Sequence, residues 1–387
     1  MKILHTGDWH LGHVLYGYDR TEEQQQMLRQ MVDIVSVEQP DVFLLCGDVF
    51  HTSQPSASVQ TMFNHALVQM HHASPQTTIV VTAGNHDSAT KHEIFRTPWQ
   101  QLGVYMIGTL SADQPDTHII EIPGKGYVVA FPYMHERVMR SGIVNNVLQR
   151  VGERNTTALP VVLTLHTALS GADFTGHDDS NENTIGGIDT INVNDIASDY
   201  DYLALGHIHH AQFVHTGRHN VRYAGSPLSV SFDECYKHSV SIVEISRHGA
   251  QPKVRTIDIN NPHPLTTLPI QGFAAWDDVK QQLTHFPADL QCYIRLNVEV
   301  TDHLPSDARQ QALEATEGKQ CRFCYINATR AKTETQRQTQ ELTVQEFQQM
   351  PPIEVARMFA HDTGAFFDEQ MEQMFNQTLQ ALNDTTN

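Results

Sequence analysis

Apolar positions in the first half of the chain switch between two periods. Residues 2–6, Lys-Ile-Leu-His-Thr, form a short apolar-centred run that reads as a strand. Residues 21–38 place Met27, Leu28, Met31, Ile34 and Val35 on one stripe, which predicts an amphipathic helix with Thr21 as its N-cap. Residues 42–46 are continuously apolar, the mark of a buried strand. Residues 56–71 are helical again, and residues 78–82 read as a third strand. This order predicts a mostly parallel sheet covered on both faces. Further strands are expected at 104–107, 118–122, 128–131, 161–165 and 202–205, and helices at 136–150 and near 194–198. Residues 170–187 are rich in Gly, Asp, Asn and Ser and read as a long loop; strands dominate from 211 to 258, as hairpins finishing a sheet edge.

Asn260-Asn-Pro-His-Pro264 punctuates the pattern and marks a domain boundary. Residues 265–328 then read as a small α/β unit: a strand, a helix at 276–286, a strand at 293–300, a helix at 306–314 and a strand at 322–328. From residue 329 the composition turns to Gln, Thr and Glu, a linker over 329–342. Two amphipathic helices follow within 343–387, at 343–359 with a turn at Met350-Pro-Pro352, and at 364–382. A chain of 387 residues accommodates this division.

Composition narrows the setting. No window approaches the roughly 18 apolar residues of a membrane span, and the first residues lack the apolar stretch of a signal peptide, so the default address is cytoplasmic. Five cysteines, an odd and small number, suit a reducing compartment; the Cys321/Cys324 pair lacks a second pair and reads as part of a strand and its entry turn. The net charge of −19 argues against nucleic-acid binding by bulk charge, though bound cations or a protein partner could supply positive charge locally.

Five polar clusters stand just after predicted strands: Gly7-Asp8-Trp9-His10, Gly47-Asp48-Val49-Phe50-His51, Gly84-Asn85-His86-Asp87, Leu165-His166-Thr167 and Gly206-His207-Ile208-His209-His210. Any one of them alone reads as a turn or an ordinary histidine. Ligands in open α/β sheets gather at the carboxyl ends of strands, so together these positions can converge on one site. The donors are carboxylate and amide oxygens and imidazole nitrogens with no thiolate, which suits Mn²⁺, Fe²⁺ or Zn²⁺. Seven candidates are too many for one ion and enough for two, with Asp48 the natural bridge. Two ions roughly 3.5–4 Å apart would clamp a phosphate and activate a water.

The motif order G-D-x-H, G-D, G-N-H-D, a lone His and G-H-x-H resembles the calcineurin-like metallophosphoesterase superfamily. Residues 6–12, 47–52, 205–209 and the stretch Gly225-Ser-Pro-Leu-Ser-Val-Ser-Phe-Asp-Glu-Cys235 are similar to its bacterial SbcD nuclease subgroup. The resemblance implies an α/β metallophosphoesterase β-sandwich flanked by helices over residues 1–260, a small α/β capping and DNA-recognition domain over 265–328, and a C-terminal helical segment that binds a coiled-coil ATPase. It implies that Asp8, His10 and His209 hold one metal, that Asn85, His166 and His207 hold the second, and that Asp48 bridges them. His86 would stand over the substrate phosphate, Asp87 would orient its ring, and His51 would lie near the nucleotide. Gly7 occupies a position where Ser is common.

The implied activity is a two-metal phosphodiesterase, most simply Mn²⁺-dependent, acting on DNA as a 3′–5′ double-strand exonuclease and a single-strand and hairpin endonuclease in recombination, replication and repair. The implied partners are DNA, an SbcC-type coiled-coil ATPase and a second copy of the chain within a heterotetramer, away from the membrane. The alternatives are a metallophosphatase or cyclic-nucleotide phosphodiesterase on the same scaffold, and a silent scaffold for an ATPase. Trp9 reads as a packing residue. His5, His13, His65, His71, His72 and His210 read as surface histidines or neighbours of the ligands. Arg20, Lys91, Arg96 and Arg137 are candidate phosphate contacts.

Overall fold

The structure is a computed structural model describing residues 1–176, 190–214, 219–301, 303–330 and 350–363, with 367, 371, 372, 374 and 375. It divides into two compact units, Met1–Thr329 and Arg330–Asn387. The chain opens with β1 (Lys2–Thr6), a small hairpin β2 (Val14–Leu15) and β3 (Tyr18–Asp19), then α1 (Thr21–Glu38), β4 (Val42–Cys46), α2 (Ala57–Ala73) and β5 (Thr78–Thr82). Two short helices, α3 (Ala89–Ile94) and α4 (Arg96–Gln100), lead to β6 (Val104–Ile107). Next come β7 (Ile119–Ile122), β8 (Gly126–Ala130), α5 (Glu136–Met139), α6 (Ile143–Arg154), β9 (Val161–His166) and β10 (Tyr202–Gly206). The strands β11 (Gln212–Phe213), β12 (Val221–Tyr223), β13 (Ser239–Glu244) and β14 (Lys253–Asp258) complete this part.

These strands form two six-stranded sheets, ordered β14-β13-β1-β4-β5-β6 and β11-β12-β10-β9-β8-β7. Both have a parallel centre; the first is antiparallel at the β13–β14 side and parallel out to β6, and the second is antiparallel at both edges. Alternation along each strand explains how they stack. On β4, Phe43 and Leu45 face α1 and α2, packing with Met27, Met31, Phe63 and Met70. Val42, Leu44 and Cys46 face inward, against Val128, Ala130, Val162 and Ala204 of the other sheet. That sheet turns Leu163, Leu165 and Leu203 outward onto Val144, Val147 and Val151 of α6. The predicted cover on both faces is therefore helices outside and a second sheet inside, the β-sandwich flanked by helices.

Local departures have local causes. α1 begins at Thr21, with Arg20 in the cap position, because the Asp19 carboxylate takes the Thr21 N–H at 2.9 Å. The helix expected over 136–150 is broken into two by Gly142, whose φ of 84° is left-handed, and the second runs on to Arg154. The helix expected near 194–198 is only a 3₁₀ turn at Val193–Asp195. Strands between 211 and 258 do not finish one edge; they divide between the two sheets.

The three-stranded sheet of β15 (Leu265–Leu268), β16 (Tyr293–Val300) and β17 (Arg322–Arg330) carries α7 (Trp276–Thr284) and α8 (Ala308–Thr316) around its own core of Leu268, Val279, Leu283, Ile294, Leu296 and Phe323. Cys321 and Cys324 are free thiols buried at the start of β17, as expected. Tyr293 ties this sheet to α1 by donating to Glu23 Oε1 at 2.6 Å. In the second unit α9 (Pro352–Thr363) starts at a proline, which suits the first turn of a helix. Residues 331–349 and most of 364–387 lie outside the described residues, as does the 177–187 part of the expected loop. No helix among the described residues is long and apolar enough to cross a membrane.

Candidate metal centre

Five loops leave the ends of β1, β4, β5, β9 and β10 and deliver side chains to one buried centre. Asp8, His10, Asp48 and His207 have φ of 54°, 44°, 48° and 97° without being glycine. Left-handed backbone costs such residues about 1–3 kcal/mol each, so the surroundings must hold it. The loops bind one another: Asp8 N–H donates to Gly47 O at 3.1 Å and His10 N–H to Asp48 O at 3.0 Å. His207 N–H donates to Asp8 Oδ1, and His86 N–H to Asp48 Oδ1, both at 2.9 Å.

The glycines serve two purposes. Gly47, at φ 80°, makes the expected sharp turn, and a Cβ there would also lie 2.1 Å from His166 Nδ1. Gly84 is needed for space, since its Cβ would lie 2.0 Å from Asp48 Oδ1. Gly7 has more room, 3.3 Å to Cys46 O.

All seven expected ligands meet here in two groups. In the first, His10 Nε2 and His209 Nε2 are 3.1 Å apart and Asp8 completes a set whose donor atoms lie within 4.8 Å of one another. In the second, Asn85 Oδ1 lies 2.9 Å from His166 Nε2 and 3.2 Å from His207 Nδ1. Asp48 Oδ2 stands between, 3.9 Å from His10 Nε2 and 3.2 Å from His166 Nε2. His166 Nδ1 donates to Cys46 O at 2.9 Å, and because a carbonyl only accepts, Nε2 is the nitrogen left to face the centre.

Burial pushes the Asp8 carboxyl up to about 6, against the pull of His166 and His209. Burial acts the same way on Asp48, but His166, His10 and His86 together hold it well below the usual carboxylate range. Burial alone would lower His166, yet Asp48 and Asp8 raise it to about 9; His10, where burial wins, falls well below the ordinary imidazole value. Asp8 Oδ2 is buried with no hydrogen-bond partner. A dense set of oxygen and imidazole donors holding an unpartnered carboxylate oxygen fits divalent cations.

His86 sits at the rim, its ring centroid 4.9 Å from that of His10 and 5.8 Å from that of His51, nearly parallel to the latter. His10, His51 and His86 form a third close set of nitrogens. The expectation that Asp87 orients the His86 ring needs correction. Asp87 accepts from the backbone N–H groups of Gly84 and Val49 at 2.9 and 3.1 Å and of Phe50 at 2.9 Å. The His86 ring is held instead by Nδ1 donating to the His51 carbonyl at 3.0 Å. Three N–H groups converging on one carboxylate leave it a loop clamp.

Outside the centre, Trp9 packs against Phe43 and Phe63, and His210 pairs with Asp173 and stacks on Tyr236. His5 is a core residue. Arg20 cannot serve as a phosphate contact: it is 2% exposed and bonded to Glu23 and to Ser229 O. Arg96 is engaged by Glu93 and Thr117 O. The residue missed by sequence reasoning is Glu234, fully buried, which accepts from His209 Nδ1 at 2.9 Å. Its only signal was its place in the 225–235 stretch.

The profile of the calcineurin-like phosphoesterase family matches residues 1–211, and one described as the type 5 capsule protein repressor C-terminal domain matches residues 261–363. The SbcD component of the nuclease SbcCD from Rhodobacter capsulatus is 30% identical over 309 residues, 72% of this chain and 74% of its own. Its Bacillus subtilis counterpart of the same name is 29% identical over 68% of this chain and 71% of its own. The Escherichia coli K12 protein, again of that name, is 26% identical over 99% of this chain and 98% of its own.

Proposed function

Since the chain belongs to the calcineurin-like phosphoesterase family and to its SbcD branch, we propose that it is the metal-dependent nuclease component of an SbcCD-type complex, hydrolysing DNA phosphodiester bonds. The observation that carries this reading is Asp48 Oδ2 standing between two histidine-rich groups, 3.9 Å from His10 and 3.2 Å from His166. Asp8, His10 and His209 would hold one ion, Asn85, His166 and His207 the other, and Asp48 both. Divalent ions held there, which we take to be Mn²⁺, would supply Lewis-acid stabilisation of the phosphate and an activated water for in-line attack.

The chain's own residues do the rest. His86, whose Nδ1 donates to the His51 carbonyl, would give a proton or a hydrogen bond from Nε2 to the leaving oxygen or a phosphate oxygen of a bound substrate. Asp87 holds the loops carrying Asp48 and Asn85 together. The His51 side chain, part-buried beside His86, would line the nucleotide's path. Residues 1–260 would form the nuclease domain and 265–328 the cap that helps receive DNA. Residues 329–342 would be a linker, and the helical segment 343–387 would grip an SbcC-type coiled-coil ATPase. A homodimer acting in the cytoplasm completes the proposal.

The test is hydrolysis of a hairpin duplex by the full chain with Mn²⁺, beside the Asp48→Ala variant. Wild type should cut and the variant should lose essentially all activity and bind less metal. Cleavage of phosphomonoesters with no action on DNA would move the assignment to a phosphatase.

A further inference from the structure

Glu234 lies beyond the ligand set but touches it. Its side chain is fully buried, and Oε1 lies 2.9 Å from His209 Nδ1. The other nitrogen of the same ring, Nε2, faces His10 Nε2 at 3.1 Å. The carboxylate also accepts from the N–H groups of Val230 and Ser231 at 3.1 and 3.3 Å and from Ser226 Oγ at 3.3 Å, with His238 Nε2 3.6 Å away. Loop closure alone does not require a charge here, since a neutral oxygen would serve those N–H groups. A carboxylate aimed at one nitrogen of an imidazole fixes that ring's tautomer and makes the opposite nitrogen a better donor to a cation.

We propose that Glu234 is a positioning residue for the metal centre: it keeps the proton of His209 on Nδ1, turns Nε2 toward the ion shared with Asp8 and His10, and strengthens that site selectively. This rests on the reading of His209 as a ligand and adds a residue to it.

The experiment titrates Mn²⁺ into metal-free full-length protein and follows the free-ion signal by electron paramagnetic resonance, with wild type, Glu234→Gln and Ser226→Ala compared. Gln keeps an oxygen for the two N–H groups and the ring and loses only the charge. Wild type should bind two ions. Glu234→Gln should weaken one of them by about 10–100-fold and leave the other unchanged, with the melting temperature of the metal-free protein retained. Ser226→Ala, which removes only the hydroxyl on Glu234 Oε2 and keeps the Ser226 N–H bond to His209 O, should bind like wild type. Wild-type affinities in Glu234→Gln would overturn the proposal and leave Glu234 a loop tie, as would equal weakening in Ser226→Ala. Should Glu234→Gln not fold, Glu234→Asp decides: it keeps the charge but falls one methylene short of the ring, so one weakened site supports the proposal and two wild-type sites overturn it. Failure of wild type itself to bind would fall on the metal reading instead.

Discussion

His5 on the first sheet and Tyr202 on the second meet in a buried hydrogen bond of 2.9 Å between His5 Nδ1 and the Tyr202 hydroxyl. The other ring nitrogen, Nε2, donates to Leu205 O at 3.2 Å. A neutral ring satisfies both contacts, with Nδ1 accepting from the hydroxyl and Nε2–H donating to the carbonyl. Burial, with Arg222 nearby, pushes its pKa down to about 3 from 6.5. The unfolded chain therefore takes up a proton near pH 6.5 and the folded one does not. The stabilisation is complete above that pH and is lost as pH falls from 6.5 toward 3, on the order of 5 kcal/mol in full. Urea unfolding of wild type and His5→Gln at pH 7 and pH 5 checks this: the variant should lose less stability between the two. Equal losses would put the acid sensitivity elsewhere.

Gly47 and Gly7 should respond oppositely to a small side chain. Gly47→Ala combines a left-handed backbone with a Cβ 2.1 Å from the His166 ring, so metal binding and turnover should both collapse. Gly7→Ser has 3.3 Å to the nearest atom and should retain metal and most of its activity. Metal analysis and hairpin cleavage of both variants would reveal any reversal of that order.

Asp87→Ala should destabilise the fold without altering the chemistry of His86 directly. It strands three backbone N–H groups, each worth about 1–3 kcal/mol when left unpaired, so a loss of at least roughly 3 kcal/mol is expected in chemical unfolding. Asp87→Asn should be intermediate, because its amide oxygen can keep the Val49 and Gly84 bonds while its NH₂ confronts Phe50 N–H. A fully stable Asp87→Ala with impaired turnover would return Asp87 to the role of ring partner.

His86→Ala should keep both ions and lose about 10²–10⁴-fold in turnover, the usual worth of a positioned acid. His51→Ala should cost less, because the group that holds His86 is the backbone carbonyl of residue 51, which the substitution leaves in place. Single-turnover cleavage with metal counts separates the cases; loss of an ion in His86→Ala would make it a ligand.

The identity of the seven gathered donors was legible in the sequence, because each stands at the end of an apolar run and the Asp, Asn or His needed is a local fact. So was most of the order of strands and helices, apart from the β2–β3 hairpin and the short α3 and α4, and so were the quiet roles of Trp9, Cys321 and Cys324. The continuous apolar run of β4 required cover on both faces but not the nature of that cover, since an apolar face packs equally well on a helix or a second sheet. The tertiary structure decided that, by stacking β9 and β10 behind β4. It also decided how each ring is held. His86 leans on a carbonyl 35 residues away, His209 on a carboxylate 25 away, and Arg20 is consumed by the carbonyl of a residue 209 away. Hydrogen bonds are directional and short, so their partners depend on where distant loops come to rest, whereas strand and helix patterns depend only on neighbours along the chain.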